Sequence, residues 1–246
     1  MPNEDLKHSF GYQQVGPEQR QQHIRAVFNA VAPRYDLMND FMSFGVHRLW
    51  KRSLAKHARA ESGQIIVDLA GGTGDVARLL TGPDRTLVII DPSLAMMRAG
   101  EHKGPEDMIR LGGSGEALPI ADNSVDTLTV AFGIRNMTDM DSALKEIHRV
   151  LKPGGRCLCL EFSKPLALIR PFYNLYSFLV IPRLGAWVAR EPVAYTYLVE
   201  SIRRFPDQEE MKMRMEHAGF EQVRYRNYSL GIACLHTGSK ALEETG

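Results

Sequence analysis

Residues 64–75 read QIIVDLAGGTGD, a β-branched run that ends on a carboxylate and passes straight into a glycine-rich turn. No other stretch limits the fold as tightly. A strand that feeds a helix, here GDVARLLTG, through a short glycine turn opens a β–α–β unit, and glycine lets the backbone of the turn approach a ligand closely. The rhythm continues downstream: the strand TLVIID precedes a helical SLAMMRAGE, and DMIRLGG and VDTLTVAF read as further strands. The amphipathic MDSALKEIHRVLK runs as a helix to Pro153, Gly154 and Gly155, before the strand RCLCLEF. Strands separated by helices imply an α/β fold with a mostly parallel sheet, and such sheets bind ligands beyond the carboxyl ends of their strands. After a helical DQEEMKMRMEHAGF with its glycine cap, EQVRYRNYSL and IACLHTGSK read as a closing antiparallel hairpin.

Two stretches depart from this alternation. Residues 18–60 carry helical periodicity, with Ile24, Val27, Phe28 and Val31 in one stripe and, beyond a break at Pro33, Leu37, Met38, Phe41 and Met42. Residues 165–205 form a mostly helical insertion bearing Phe172, Tyr176, Phe178 and Trp187. We therefore expect an N-terminal helical segment or lid at 1–60 and a main domain at 61–246 that holds the insertion. A formal charge of +1 argues against a dedicated nucleic-acid binder. The apolar runs fall far short of the ~20 residues that span a bilayer, and MPNEDLKHSF lacks the apolar core of a secretory signal. Cys157, Cys159 and Cys234 lie in strand-like segments without a second pair to complete a metal site. They read as small buried apolar residues in a reducing cytoplasm, and no metal is expected.

The charges at the glycine turn narrow the ligand. Gly72, Gly74 and Ala77 satisfy G-x-G-x-x-G/A, which opens a nicotinamide or flavin reading. A pyrophosphate would rest on the helix N-terminus, however, and Asp75 stands there directly after the last glycine. With Asp68 at the end of its strand and Asp91 at the end of the next, three carboxylates ring the crevice. S-adenosylmethionine suits that balance, having a sulfonium, an ammonium, one carboxylate and no phosphate. Asp91 is placed to accept the ribose hydroxyls, Asp68 and the Gly71–Gly74 turn to meet the rest of the molecule, and the turn SGEALP from Ser114 to flank the adenine. Asp75 has a second reading as a cap on the helix dipole.

DLAGGTGD, GEALPIADNSVD, FGIRN and RVLKPGGR resemble the motifs of class I methyltransferases, and VAPRYDLMNDFMSFGVHRLWK with LEFSKP is narrower. Those two segments resemble the ubiquinone/menaquinone biosynthesis C-methyltransferases (UbiE/MenG type), over about residues 10–240. The resemblance implies a Rossmann-like class I methyltransferase sheet and S-adenosylmethionine-dependent methylation of a ring carbon of a polyprenylated quinol. The acceptor would be 2-polyprenyl-6-methoxy-1,4-benzoquinol, demethylmenaquinol or both. Matching motif positions puts cofactor contacts on Thr73, Asp91, Ser114 and Gly115. The residue before FGIRN, often serine in the family, is Ala131 here.

Such a reaction needs a ring hydroxyl to lose its proton, and a phenol titrates near ~10. Arg135 and Asn136 leave the strand at 125–132 side by side, and a guanidinium beside the quinol oxygen would favour the phenolate without acting as a base. Asn136 and Tyr35 would position the ring or a proton-accepting water, with Asp36 and His47 as further candidates. Each has a structural alternative: Arg135 paired with a carboxylate such as Asp139, Tyr35 a core aromatic, His47 and His148 structural, Glu116 a bridge to the glycine loop. A lipid substrate also suggests a membrane surface or a biosynthetic complex. Residues 18–60 hold eight Lys/Arg against three Asp/Glu, and 165–205 five against two, which suits peripheral contact with an anionic bilayer, while the insertion also suits a homodimer face. The competing functions are a cofactor-binding scaffold subunit, and a methyltransferase acting on another small molecule or on RNA.

Overall fold

The structure is a computed structural model that describes residues 7–105, 107–171, 175 and 192–242. A short hairpin, β1 (Ser9–Phe10) and β2 (Gln13–Gln14), comes first. Three helices follow: α1 (Pro17–Val31), α2 (Tyr35–Ser43) and α3 (Val46–Ala58). Pro33 lies in the 3₁₀ turn Ala32–Arg34 that separates α1 from α2, as the break in periodicity implies. The main sheet contains β3 (Ile65–Leu69), β4 (Thr86–Asp91), β5 (Ile109–Gly112), β6 (Val125–Ala131), β7 (Leu151–Phe162), β8 (Glu221–Tyr228) and β9 (Ala233–Ser239). Its order is β5-β4-β3-β6-β7-β9-β8. β3 to β7 run parallel, and β9 is antiparallel to both β7 and β8. From β3 the chain builds outward to β5, then returns to place β6 on the other side of β3. The crevice therefore opens between the carboxyl ends of β3 and β6.

The parity of β3 shows how the two faces are covered. Val67 and Leu69 join a core with Leu144 and Ile147 of α5 (Met140–Val150) and Met211 and Met215 of α7 (Gln208–His217). Ile66 turns the other way, to Trp50, Leu54 and Ala58 of α3. Helix α3 is thus part of the main core, although it lies in the N-terminal segment. Phe10, Ile24 of α1 and Tyr197 of α6 (Pro192–Arg204) form a smaller third cluster. The three cysteines are buried in β7 and β9, as expected, and burial pushes the thiols of Cys157 and Cys234 up to about 12.

Two elements differ from the sequence expectation. Instead of a regular helix after the glycine turn there is one 3₁₀ turn, Ala77–Leu80, because Gly82 and Pro83 stop the chain before an α-helix can propagate. Pro153–Gly155 does not separate α5 from the next strand. It bulges within β7, where the register jumps from Val125↔Leu151 to Thr127↔Arg156. Helix α4 (Leu94–Ala99) follows β4, and within the insertion α6 is helical as expected. Phe172, Tyr176, Phe178 and Trp187, and with them any dimer face, lie outside the described residues. Among the described residues no helix is long and apolar enough to cross a membrane.

Candidate active site

At the switch point lies a cleft bounded by the glycine turn after β3, the exit of β6 and one face of α1, the position where such sheets hold small-molecule ligands. Both strands that frame it leave the sheet through a left-handed residue, Ala70 after β3 (φ 52°) and Phe132 after β6 (φ 58°). Such conformations cost about 1–3 kcal/mol each and persist where the surroundings enforce them. Here the enforcement is mutual. A Cβ on Gly133 would fall 2.4 Å from the Cβ of Ala70, so the two turns touch and only glycine fits the second.

On the side of the glycine turn, all the expected residues line the cleft except Gly74, whose φ of 82° shapes the turn from behind. Asp68 accepts a hydrogen bond from the Thr129 hydroxyl (2.9 Å) and one from the Ala77 N–H (3.1 Å). Burial pushes its carboxyl up to about 7 against those two bonds. Asp91 receives the N–H of Ser93 (2.8 Å) and of Gly72 (2.9 Å), and burial raises it to about 6. Each carboxylate keeps unused acceptor capacity beside a backbone cradle. A cationic ligand with vicinal hydroxyls and no phosphate matches that donor set. Ser114 and Gly115, in the turn closed by the Ser114–Ala117 bridge, form the far wall with Met96.

Asp75 does not serve as the third free carboxylate. Lys51 of α3 reaches it at 3.1 Å and Arg78 pairs with it from the other side. Burial would raise this carboxyl, but the two cations outweigh it and hold Asp75 below the usual range. Lys51 was not legible as a site residue, since on sequence it is one more cation of a basic helix. Helix α2 also reaches the turn: Thr73 donates to Asp36 (3.0 Å), which pairs with Lys103 (2.6 Å).

FGIRN forms a 3₁₀ turn, Ile134–Asn136. Three residues per turn put Gly133 and Asn136 on one side and send Arg135 about 120° away. Gly133, Asn136 and Tyr35 accordingly line the cleft, and Arg135 does not. The guanidinium of Arg135 instead meets Glu161 at 2.6 Å, donates to the Phe132 carbonyl (2.7 Å) and lies over the Phe162 ring. Both members of the pair are buried. The guanidinium thus faces β7 and not the cleft, where the sequence reading puts it beside the acceptor oxygen. Its partner is Glu161 rather than Asp139, which caps α5 through the Ser142 N–H and pairs with Lys7.

The other candidates divide similarly. Glu116 lines the cleft while accepting the N–H groups of Thr138 and Asp139 (2.6 and 3.2 Å), so it bridges to the loop after FGIRN and not to the glycine turn. His47 is buried away from the cleft against the Ser43 hydroxyl (2.7 Å), and burial together with Lys51 pushes it down to about 4. His148 packs edge-on against Phe220. Sequence reasoning missed Arg20. It is fully buried in α1 and donates to the carbonyls of Ser9, Arg135, Asn136 and Met137 at 2.8–3.2 Å. It also missed the cleft wall formed by Gln21, Ile24, Arg25 and Phe28, although the 3.6-residue stripe that includes Ile24 and Phe28 was the available signal.

A parallel sheet closed by an antiparallel last strand, with a glycine turn facing a carboxylate at the tip of the neighbouring strand, defines the Rossmann-like methyltransferase class. A solved S-adenosylmethionine-dependent methyltransferase from Thermotoga maritima shares the fold, with TM-score 0.65 at 22% identity, over 89% of this chain and 100% of that one. So does the [4+2]-cyclase SpnF (TM-score 0.66, 15% identity, 90% of this chain and 96% of that one), which shows that the fold alone does not prescribe the reaction. Narrower likeness comes from sequence. The model of the ubiE/COQ5 methyltransferase family matches residues 16–240, and the chain belongs to that family. The ubiquinone/menaquinone biosynthesis C-methyltransferase UbiE of Rubrivivax gelatinosus is 61% identical over 240 residues, covering 98% of this chain and 96% of the relative.

Proposed function

We propose that the chain catalyses S-adenosylmethionine-dependent methylation of a ring carbon of a polyprenylated quinol, the benzoquinol or demethylmenaquinol acceptor or both. The observation that carries the reading is one continuous cleft. It joins a carboxylate-lined glycine turn to a wall that includes Ile24, Phe28, Tyr35 and Asn136, in a chain whose relatives over almost the whole length are named ubiquinone/menaquinone biosynthesis C-methyltransferases. When bound, the cofactor supplies an electrophilic methyl group on a sulfonium. Asp91, Ser114 and Gly115 would hold its adenosyl end, and Asp68, Gly71, Gly72 and Thr73 the amino-acid end, on a turn whose shape depends on Gly74.

The acceptor side is built by α1 and FGIRN. Ile24 and Phe28 provide an apolar surface for a ring, Tyr35 and Asn136 its polar contacts, and α1 with α2 excludes water from the reacting atoms. The ring carbon gains the methyl group as the carbon–sulfur bond of the sulfonium breaks to leave a neutral thioether. The hydroxyl proton lost on activation is regained by the oxygen as the ring proton leaves on rearomatisation, so one proton is released in all. Arg135 acts behind that wall, by holding the turn against β7. Helices α1 and α2 serve as the lid over the domain of residues 61–246. Incubation with labelled cofactor and both demethylated short-chain quinols tests the reading. Transfer of label to ring carbon in at least one is expected, and binding of cofactor without transfer to either would favour the scaffold alternative.

The raised carboxyls give the cofactor site a proton linkage. Between about pH 4 and 7 the folded chain retains protons on Asp68 and Asp91 that the unfolded chain has lost, so these groups contribute less stability as pH rises through that window. A bound cation favours their ionised forms. Cofactor binding at pH 6–7 is therefore expected to release protons, visible as a calorimetric enthalpy that varies with the buffer's ionisation enthalpy. The cofactor's thermal shift should likewise grow from pH 5.5 to 7.5. No buffer dependence would mean that neither group titrates on binding.

For substrate access we propose peripheral contact with an anionic membrane through the end of the sheet that carries the cleft. Exposed Leu49, at the start of α3, supports it, as do Leu166, Leu168 and Leu230, which cluster where the Leu166 N–H meets the Leu230 carbonyl. Lys164 and Arg48 are exposed beside them. Cosedimentation with anionic vesicles at low salt is expected, and should be lost in Leu168→Asp/Leu230→Asp. Equal sedimentation of the variant would reject this face.

A further inference from the structure

Asn136 can turn either end of its carboxamide to the cleft, and its neighbours decide which. Tyr197, on α6, brings its hydroxyl to 3.0 Å from Asn136 Oδ1, and the Phe132 carbonyl stands 3.5 Å from Nδ2. The reversed amide would set Oδ1 against that carbonyl, two acceptors with no proton between them. Tyr197 is 4% exposed, and its ring stacks on Phe10 with centroids 4.4 Å apart and planes 8° from parallel. Burial raises its phenol above the usual value, so the hydroxyl is protonated and free to donate. These contacts occupy Oδ1 and one Nδ2 hydrogen. The second hydrogen remains for the cleft that Asn136 lines.

We infer that Tyr197 is a positioning residue that locks Asn136 as a hydrogen-bond donor to the ring oxygen of the acceptor. The inference rests on the quinol reading above and assigns Asn136 no part in accepting a proton. An amide N–H binds a phenolate roughly twice as strongly as a neutral phenol, so a fixed donor favours the activated acceptor over the resting one. Arg20 holds the carbonyls of residues 135, 136 and 137, which prevents the backbone from turning to compensate.

Tyr197→Phe keeps the ring and its stack on Phe10 and removes only the hydroxyl. With a soluble short-chain quinol it is expected to lower kcat about tenfold. The KM for quinol and the cofactor Kd should hardly change, and the kcat limb that reports acceptor ionisation should move to higher pH. Asn136→Ala should cost about 10²-fold in kcat. Adding Tyr197→Phe to it should cost nothing more, because the hydroxyl then has no amide to hold. Wild-type kcat in Tyr197→Phe, or an equal penalty in both backgrounds, overturns the inference. If wild-type enzyme methylates neither quinol, the acceptor reading fails instead. The lock is then read from the Asn136 side-chain NH₂ resonances, assigned by their loss in Asn136→Ala. Rotation of the amide should quicken in Tyr197→Phe, and an unchanged rate overturns it.

Discussion

Arg135→Ala is expected to destabilise the chain by about 3–5 kcal/mol, the usual cost of removing one member of a buried ion pair. For a chain of this size that corresponds to a fall in Tm of roughly 10 °C. The loss arises at Glu161, which is 1% exposed and has Arg135 Nη1 at 2.6 Å and the Phe162 N–H at 2.8 Å. Burial already pushes the Glu161 carboxyl up, and Arg135 is the main force opposing it. Without the guanidinium the folded-state value rises further above the unfolded one, so the penalty should be small at pH 5 and grow as pH increases. Replacing both partners, as in Arg135→Met/Glu161→Leu, should recover most of the stability. Urea titrations at two pH values measure this directly. An Arg135→Ala protein of wild-type stability and no activity would return Arg135 to direct contact with the acceptor.

Asp91→Asn is expected to weaken S-adenosylmethionine binding by about 10²-fold. A hydrogen bond to a charged group is worth about 1.5–3 kcal/mol, and a ribose offers two hydroxyls to this carboxylate. The same side chain holds the Gly72 amide, so part of the loss reflects a loosened turn. Asp75→Asn provides the contrast. Its carboxylate is occupied by Lys51 and Arg78, and its replacement should change cofactor affinity only a few-fold. Calorimetric titration of both variants separates the cases, and equal losses would mean that Asp75 also meets the cofactor.

The cofactor half of the site was readable because its information is local. Asp68 and Asp91 end β-branched runs, glycines follow the first of them, and a carboxylate at a strand tip in a parallel sheet has few places to be. The acceptor half was readable only in part. FGIRN announces an arginine and an asparagine but not their directions, which follow from a 3₁₀ turn and from a glutamate 26 residues further on. Arg20 gives no signal because its partners are backbone carbonyls, which every residue possesses. The helix expected after the glycine turn failed for a different reason. The apolar spacing was sound, but Gly82 and Pro83 left too few residues to nucleate it.

The reach of Arg20 sets the order in which the molecule can be completed. Its carbonyl partners in the FGIRN turn lie 115 to 117 residues downstream. The backbone N–H of Tyr12 waits for Glu200, 188 residues away. At ~5–20 residues per second of synthesis, α1 leaves the ribosome roughly 6–25 seconds before the turn it will clamp. The β1–β2 hairpin waits longer still for α6. Helix α1, though made early, is thus among the last of the described helices to dock. A nascent chain can carry the glycine turn long before it owns an acceptor wall, so methyl transfer must await the synthesis of α6.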